Sequence, residues 1–544
     1  MIAAGGRQLP WSWSAAPDVQ MLFRYRHGRW AMEGSQPRRR DVLAGIAASV
    51  FYNPLASAAP LVLDPRSDIF RFVRSRALEL ASKPFSPPPE RLSPTMAAMG
   101  YDEYRDLQFK PEQAVWRGER LGFELQFFAA AYIYRSPVEI YVVDQGSLLA
   151  VVPTRGMFNF GLQETRIPSD APLSFSGFRI NAPLNAASRH DEVVVFQGAS
   201  YFRGLARGHT YGLSARGLAI NAGAPVEEFP LFRAFWIERP SDASRITVHA
   251  LLDSTSVTGA YTFHIRPGLP TAMDVRAELF PRHDVVEVGL APLTSMFFKG
   301  AHDTNGPPDF RPAVHDSEGL AVWNMAGQRI WRPLVNPGQS QSTAFVEEGL
   351  KGFGLIQRDR TFDAYQDLEA KYHTRPSAWV EPSGDWGAGA TRLVELPTDA
   401  EYFDNIGAFW RPTAGLRAGT PFAFAYTLSW LNDTPAQRGF RVSKTRVGSM
   451  PGNDHVRFVV DFVRDDPSSN VETINEPYDA PTALVRASHG VCGAPHIQGN
   501  PYTGGIRVTL EFDPQESARS DVSIDLADEE GVSSEQWRYR WIRE

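Results

Sequence analysis

The sequence predicts a mainly β protein built of two consecutive sandwiches, and three observations carry that reading. Apolar and polar residues alternate at period two through most of the 544 residues. The 44 Gly and 42 Pro are spread along the chain rather than clustered, which punctuates short elements instead of long helices. At 43% apolar and 12% aromatic, the chain is long and apolar enough for two domains, each with a sizeable core. A sheet that alternates in this way must cover its apolar face, and a second sheet is the natural cover.

In chain order, residues 1–37 carry Trp11, Trp13 and Trp30 without hydrophobic periodicity. They are expected to lie outside the fold, with Met32 as an alternative start. Arg38-Arg39-Arg40 then precedes a mostly apolar run over 44–55 and Ala56-Ser57-Ala58, the order of basic region, apolar core and small-residue cut site that marks an export signal. Paired arginines before a modest apolar core point to the twin-arginine route. The run is far short of the roughly 18–20 residues that cross a bilayer, so the mature protein is not expected to be membrane-embedded. From Ser67, an expected N-cap, Phe70, Val73, Ala77 and Leu80 recur at helical spacing until Pro84. Strands follow at 138–143, 148–152 and 191–196. Ile246, Val248, Ala250 and Leu252, and then 261–265 and 273–277, read as half-buried antiparallel strands.

Residues 412–421 (PTAGLRAGTP) read as an interdomain linker. Beyond them Phe422, Phe424, Tyr426, Leu428 and Trp430 alternate, as do Val456 to Phe462, Ile506 to Phe512, and Trp537, Tyr539 and Trp541. With 522–526 and the run near Leu484 these suggest an immunoglobulin-like sandwich. The expected division is an extension and signal over 1–58, a first sandwich over 59–411, the linker, and the second sandwich over 422–544.

A net charge of −7 argues against a nucleic-acid surface and fits a neutral substrate. The single Cys492 cannot form an internal disulfide. Phosphate-loop, dinucleotide and zincin motifs are absent, and Gly212-Leu213-Ser214-Ala215-Arg216 lacks the second glycine of a nucleophile elbow. His302-Asp303 and His315-Asp316 have no further ligand at tight spacing, so neither metal nor cofactor is expected. Residues 358–412 mix Asp359, Asp367, Glu369, Asp385, Glu401 and Asp404 with Tyr365, Tyr372, Trp379, Trp386, Tyr402, Phe403 and Trp410. Sugar-binding clefts use that mixture, because aromatic faces stack on pyranose rings while carboxylates bond hydroxyls or move protons. An acidic surface over ordinary core aromatics has the same composition.

More specific are Gly198-Ala199-Ser200-Tyr201-Phe202-Arg203, Tyr211-Gly212-Leu213-Ser214-Ala215-Arg216, Ala291-Pro292-Leu293-Thr294-Ser295-Met296-Phe297, His315-Asp316-Ser317, Trp331-Arg332-Pro333-Leu334, Arg375-Pro376-Ser377 and Asp404-Asn405-Ile406. In this order they resemble the periplasmic osmoregulated glucan biosynthesis proteins G and D (OpgG/OpgD, also MdoG/MdoD), from about residue 65 to the end. The resemblance implies a galactose-mutarotase-like sandwich followed by an immunoglobulin-like domain. It also implies a periplasmic enzyme acting on β-1,2-glucan, either an anomer-inverting glycoside hydrolase or a related transglycosylase. The twin-arginine pair is more typical of the D branch.

Carried over by position, the resemblance makes Asp316 the general acid and Asp404 the general base, the latter reaching the attacking water through a relay. It adds Tyr372 as a sugar contact, and Trp379, Arg332, Tyr201 and Arg203 are taken as cleft-lining groups. Inversion separates such a carboxyl pair by about 6.5–9.5 Å, and a relay lengthens that. Residues 431–454 are read as a loop shorter than in some members, where it reaches a partner subunit's site. A rival reading is a non-catalytic glucan-binding scaffold that assists a membrane glucan synthase. Homodimer formation and a functional partnership with that synthase are left open by the residues.

Overall fold

The structure, a computed structural model, describes residues 61–62, 68–304, 308–436, 439–464, 481–527 and 534–543. The expected export signal over residues 38–58 lies outside them. The fold is mainly β, as expected, and among the described residues two large sheets dominate, one of fifteen strands and one of ten.

The first sheet is centred on Ile246–Asp253, Val257–Arg266 and Thr271–Pro281, antiparallel and in register from Ile246↔Ile265 to Met273↔Ile265. These strands are more deeply buried than the half-buried expectation, and Ile246–Asp253 is covered throughout. The reason is helix α1 (Ile69–Ala81), whose Ile69, Phe70, Val73 and Ala77 lie on the outer face against Trp236, Leu251, Ala260 and Phe280. Its N-cap is Asp68, whose carboxylate accepts the Phe70 N–H at 2.9 Å, one residue past the expected Ser67.

The ten-stranded sheet packs on the inner face. Phe178, Phe196 and Phe202 from it meet Phe235, Phe263 and Trp430 of the first sheet, with ring centroids 4.9 Å (Phe178–Phe235), 5.2 Å (Phe196–Phe263) and 6.3 Å (Phe202–Trp430) apart. Edge-on aromatic contacts of this kind fill the wide gap between two twisted sheets.

Two expectations about the C-terminal part are corrected. Phe422–Leu431 does not open the second sandwich, because it pairs with Thr271–Pro281 from Thr271↔Trp430 to Leu279↔Phe422 and, on its other side, with Ser377–Pro382. Residues 412–421 therefore cross between the two layers of the first sandwich. Gly415, at φ +62°, packs so closely there that a Cβ would lie 2.6 Å from the Val285 carbonyl oxygen. The passage to the second unit comes after Leu431, and residues 431–454 include a ten-residue strand, Phe440–Ser449.

The second unit is a smaller sandwich. Phe440–Ser449, Val456–Arg464 and Gly505–Asp513 form one layer, and Thr482–Ala487, Arg519–Ala527 and Gln536–Ile542 form the other. Phe458, Val460, Val508, Leu510, Ile524 and Trp537 are buried in one apolar cluster with Trp331 and Trp379 of the first unit. Gln536–Ile542 also pairs in parallel with Arg329–Pro333, so the fifteen-stranded sheet runs on into this unit. Arg358 seals the seam: its guanidinium lies 3.7 Å from the Trp331 ring centroid and bonds Glu535 at 2.8 and 2.9 Å.

Candidate active site

One backbone segment, Ser295-Met296-Phe297, holds both candidate carboxylates. The Asp316 N–H donates to the Met296 carbonyl at 2.8 Å, and Ser317 Oγ lies 2.8 Å from Ser295 Oγ. On the other side Asn405 Oδ1 accepts the Phe297 N–H at 2.8 Å, while Nδ2 donates to the Phe297 and Leu396 carbonyls at 2.9 Å each. Ser295 also pairs with Ile406 across the sheet. Strand ends thus converge, with Asp316 just after Val314–His315 and Asp404 just before Asn405 and the strand Ile406–Pro412, so each carboxylate sits at or beside a residue bonded to this segment.

Their surroundings differ. Asp316 is wholly buried and in direct contact with the Arg375 guanidinium, which in turn lies 4.1 Å above the Tyr372 ring. Burial pushes the Asp316 carboxyl upward and the negative charge of Asp404 adds to this, with Arg375 pulling the other way. Asp404 keeps 16% of its side chain exposed, with Arg203 at 3.5 Å. Burial raises it too, against the pull of Arg203, Arg375 and Arg216.

Asp404, Tyr201 and Arg203 line a cavity of about 180 Å³ with Tyr134, Pro137 and Phe232. Asp316 and Tyr372 stand outside its lining. Tyr372 is buried, and its hydroxyl donates to Glu401 at 2.9 Å. Two of the expected cleft residues are enclosed by scaffold contacts and lie outside the cavity lining. Trp379 is 1% exposed, 4.7 Å from Trp323 and packed over Gly352 and Gly354, where a Cβ would collide with its indole ring. Arg332 is equally enclosed, and its pair with Glu395 at 3.3 Å ties the strand Arg329–Pro333 to Gly389–Glu395 in the facing sheet.

Sequence reasoning missed Arg375, although the matched Arg375-Pro376-Ser377 motif contains it, and Arg311, a hub that bonds Asp309 at 2.7 Å, Asp367 at 2.9 Å and Glu401 at 2.5 Å. Asp367 anchors a turn, accepting the Glu369 and Ala370 N–H groups at 2.8 and 2.6 Å. Asp385 is exposed and accepts the Gly387 N–H at 2.7 Å. In the two His-Asp pairs, His302 Nε2 lies 2.6 Å from the Leu334 carbonyl and His315 Nδ1 lies 2.9 Å from Gln357 Oε1. Among the described residues, Asp454, His455 and Asp513 of the second unit bring ligand atoms within 4.8 Å of one another. No helix of the described residues is long and apolar enough to cross a membrane.

Comparison with known proteins agrees with the motif reading. Residues 69–541 match the family model described as periplasmic glucan biosynthesis protein, MdoG. Glucans biosynthesis protein G of Rhodopseudomonas palustris (strain BisA53) is 45% identical over 514 residues, covering 92% of this chain and 99% of that protein. The protein of the same name from Vibrio cholerae (strain ATCC 39541) is 44% identical over 473 residues, 86% of this chain and 85% of its own length. A GH36 α-galactosidase of Geobacillus stearothermophilus in complex with stachyose aligns with 40% of this chain and 30% of its own at 10% identity and a TM-score of 0.23, which is too slight a likeness to carry any argument. With the family match running from α1 into the last strand, and with the two carboxylate motifs seated on one shared segment, the chain belongs to the periplasmic glucan biosynthesis protein family MdoG.

Proposed function

We propose that the protein is exported to the periplasm and acts there on β-1,2-glucan, as an anomer-inverting glucanase or a transglycosylase of the same chemistry, with Asp404 and Asp316 as its acid and base. The observation that carries this reading is the pair itself: two enclosed carboxyls of raised pKa, fixed to one main-chain segment, only one of which reaches a cavity. A general acid must touch the glycosidic oxygen, and Asp404 is the member on the cavity wall. Its raised pKa favours keeping the proton it would donate.

Asp316 is closed off from the cavity and held by Arg375, so it can take a proton only through intervening hydroxyls or waters. Its raised pKa strengthens it as a base once ionised. This exchanges the two roles implied by the family resemblance. The D-branch reading rests on the twin-arginine pair alone, while the relatives named above carry the G name.

Incubating the purified mature protein with linear β-1,2-glucan and following products by NMR tests the proposal. New α-configured reducing ends from β-linked chains are expected from hydrolysis, and redistributed chain lengths from transglycosylation. Glucan binding without any product would favour the non-catalytic scaffold that assists a membrane synthase, and retained β-configuration would rule out inversion.

A further inference from the structure

Four large apolar side chains stand out in solvent around the Arg311 hub: Phe310 at 81% exposure, Leu368 at 78%, Tyr402 at 43% and Phe403 at 41%. Each is adjacent in sequence to a residue of the hub or to Asp404. Phe310 precedes Arg311, whose Cζ lies 5.8 Å from its ring centroid. Leu368 follows Asp367, and Tyr402 follows Glu401, both of which bond Arg311. Phe403 precedes Asp404, and its ring centroid is 4.5 Å from that of Tyr402. The same Glu401 carboxylate accepts the Tyr372 hydroxyl, and Tyr372 carries Arg375, the partner of Asp316. A single ion-pair cluster therefore fixes the main chain beside these four exposed side chains, the shelf, and links it to the carboxylate pair.

We propose that this shelf is a glucan-binding platform that extends the candidate site, on which sugar rings of a long chain stack beyond the ring being cleaved. The inference rests on the proposed action on β-1,2-glucan. Aromatic faces suit the C–H faces of pyranoses, and the cluster beneath them sets one guanidinium among three carboxylates, whose remaining lone pairs accept hydrogen bonds from hydroxyls. That charge balance disfavours an anionic partner. Four side chains also fall well short of the roughly 800 Å² per partner of a stable protein interface, so a second copy is the weaker occupant.

The test uses the full mature chain with Phe310→Ser, Tyr402→Ser and the double variant, along with Phe310→Trp to restore a stacking face. Linear β-1,2-glucan of high chain length is compared with the shortest oligosaccharide that the parental protein turns over. Each serine variant is expected to raise KM and Kd for the long chain about tenfold, equivalent to about 1.4 kcal/mol, with kcat unchanged and the short substrate unaffected, and Phe310→Trp should keep parental values. Urea midpoints check that the fold is intact. Parental long-chain KM in the double variant overturns the platform and leaves the proposed function standing, whereas a parental protein with no affinity for β-1,2-glucan overturns both. A variant that loses a dimer in sedimentation while keeping its glucan affinity assigns the shelf to a second copy and also overturns the platform.

Discussion

Asn405→Ala should cost stability and turnover together, and the structure gives the size of each. The side chain is 3% exposed and makes three hydrogen bonds, one accepted from the Phe297 N–H and two donated, to Phe297 O and Leu396 O. A buried hydrogen bond contributes about 1 kcal/mol net, and partners left buried and unpaired cost somewhat more, so the sum is about 3–5 kcal/mol. A fold of typical stability, about 5–15 kcal/mol, survives such a loss without denaturant, with a much lower urea midpoint. The same bonds fix the residue beside Asp404, and a carboxyl displaced by about 1 Å lowers turnover on the order of a hundredfold. Urea unfolding followed by tryptophan fluorescence, and turnover on linear β-1,2-glucan under native conditions, measure the two effects. A stability loss below about 1 kcal/mol, or parental turnover in the folded variant, would refute the argument that this side chain holds the site together.

Asp316→Asn and Asp404→Asn should each lower turnover by about 10²–10⁴ while glucan binding by calorimetry and the fold persist, whereas Asp385→Asn, in its exposed turn, should keep most activity; the assignment is wrong if Asp385→Asn is the more damaging change. His315 is buried against Phe297, Tyr365 and Gln357, and burial, with the charges of His302 and Arg375, pushes it down to about 3 against the weaker pull of Asp359 and the Gln357 bond. The unfolded chain then takes up a proton below about pH 6.5 that the folded chain refuses, so stability should fall with pH from there towards 3, by up to about 1.4 kcal/mol per unit. His315→Asn should lose that slope relative to the parental chain in urea unfolding at several pH values, and an unchanged slope would contradict the burial argument. Export through residues 38–58 predicts a mature N-terminus just after Ala58, and N-terminal sequencing that finds residues 1–50 attached would exclude it.

Period-two alternation made the strands legible, and helical spacing made α1 legible to within a residue of its cap. Alternation says that a strand has an apolar face but not which sheet receives it. Phe422–Leu431 could therefore be read into the wrong sandwich, and the Pro/Gly-rich stretch before it, which crosses between layers, could pass for a linker. Aromatic identity is similarly mute about burial. In the one acidic stretch Tyr365, Trp379 and Trp410 are core while Tyr402 and Phe403 face solvent, and only the facing glycines at 352 and 354 hint that Trp379 has a slot to fill. The two carboxylates were found by motif match, and their unequal access to the cavity needed the fold. Arg375 lay in a matched motif, but its contact with Asp316 spans 59 positions of sequence and no local pattern reports it.

The parallel pairing of Gln536–Ile542 with Arg329–Pro333 bears on how the molecule is made. Until the last residues leave the ribosome, one side of Arg329–Pro333, Trp331 included, is a raw sheet border, uncapped and open to adhesion by a passing strand. The chain's final strand is thus a closing clasp, and a product truncated before residue 536 would carry a sticky margin in its larger half. If export follows the twin-arginine route expected from Arg38 and Arg39, which carries folded cargo, only a clasped chain would be fit to leave the cytoplasm.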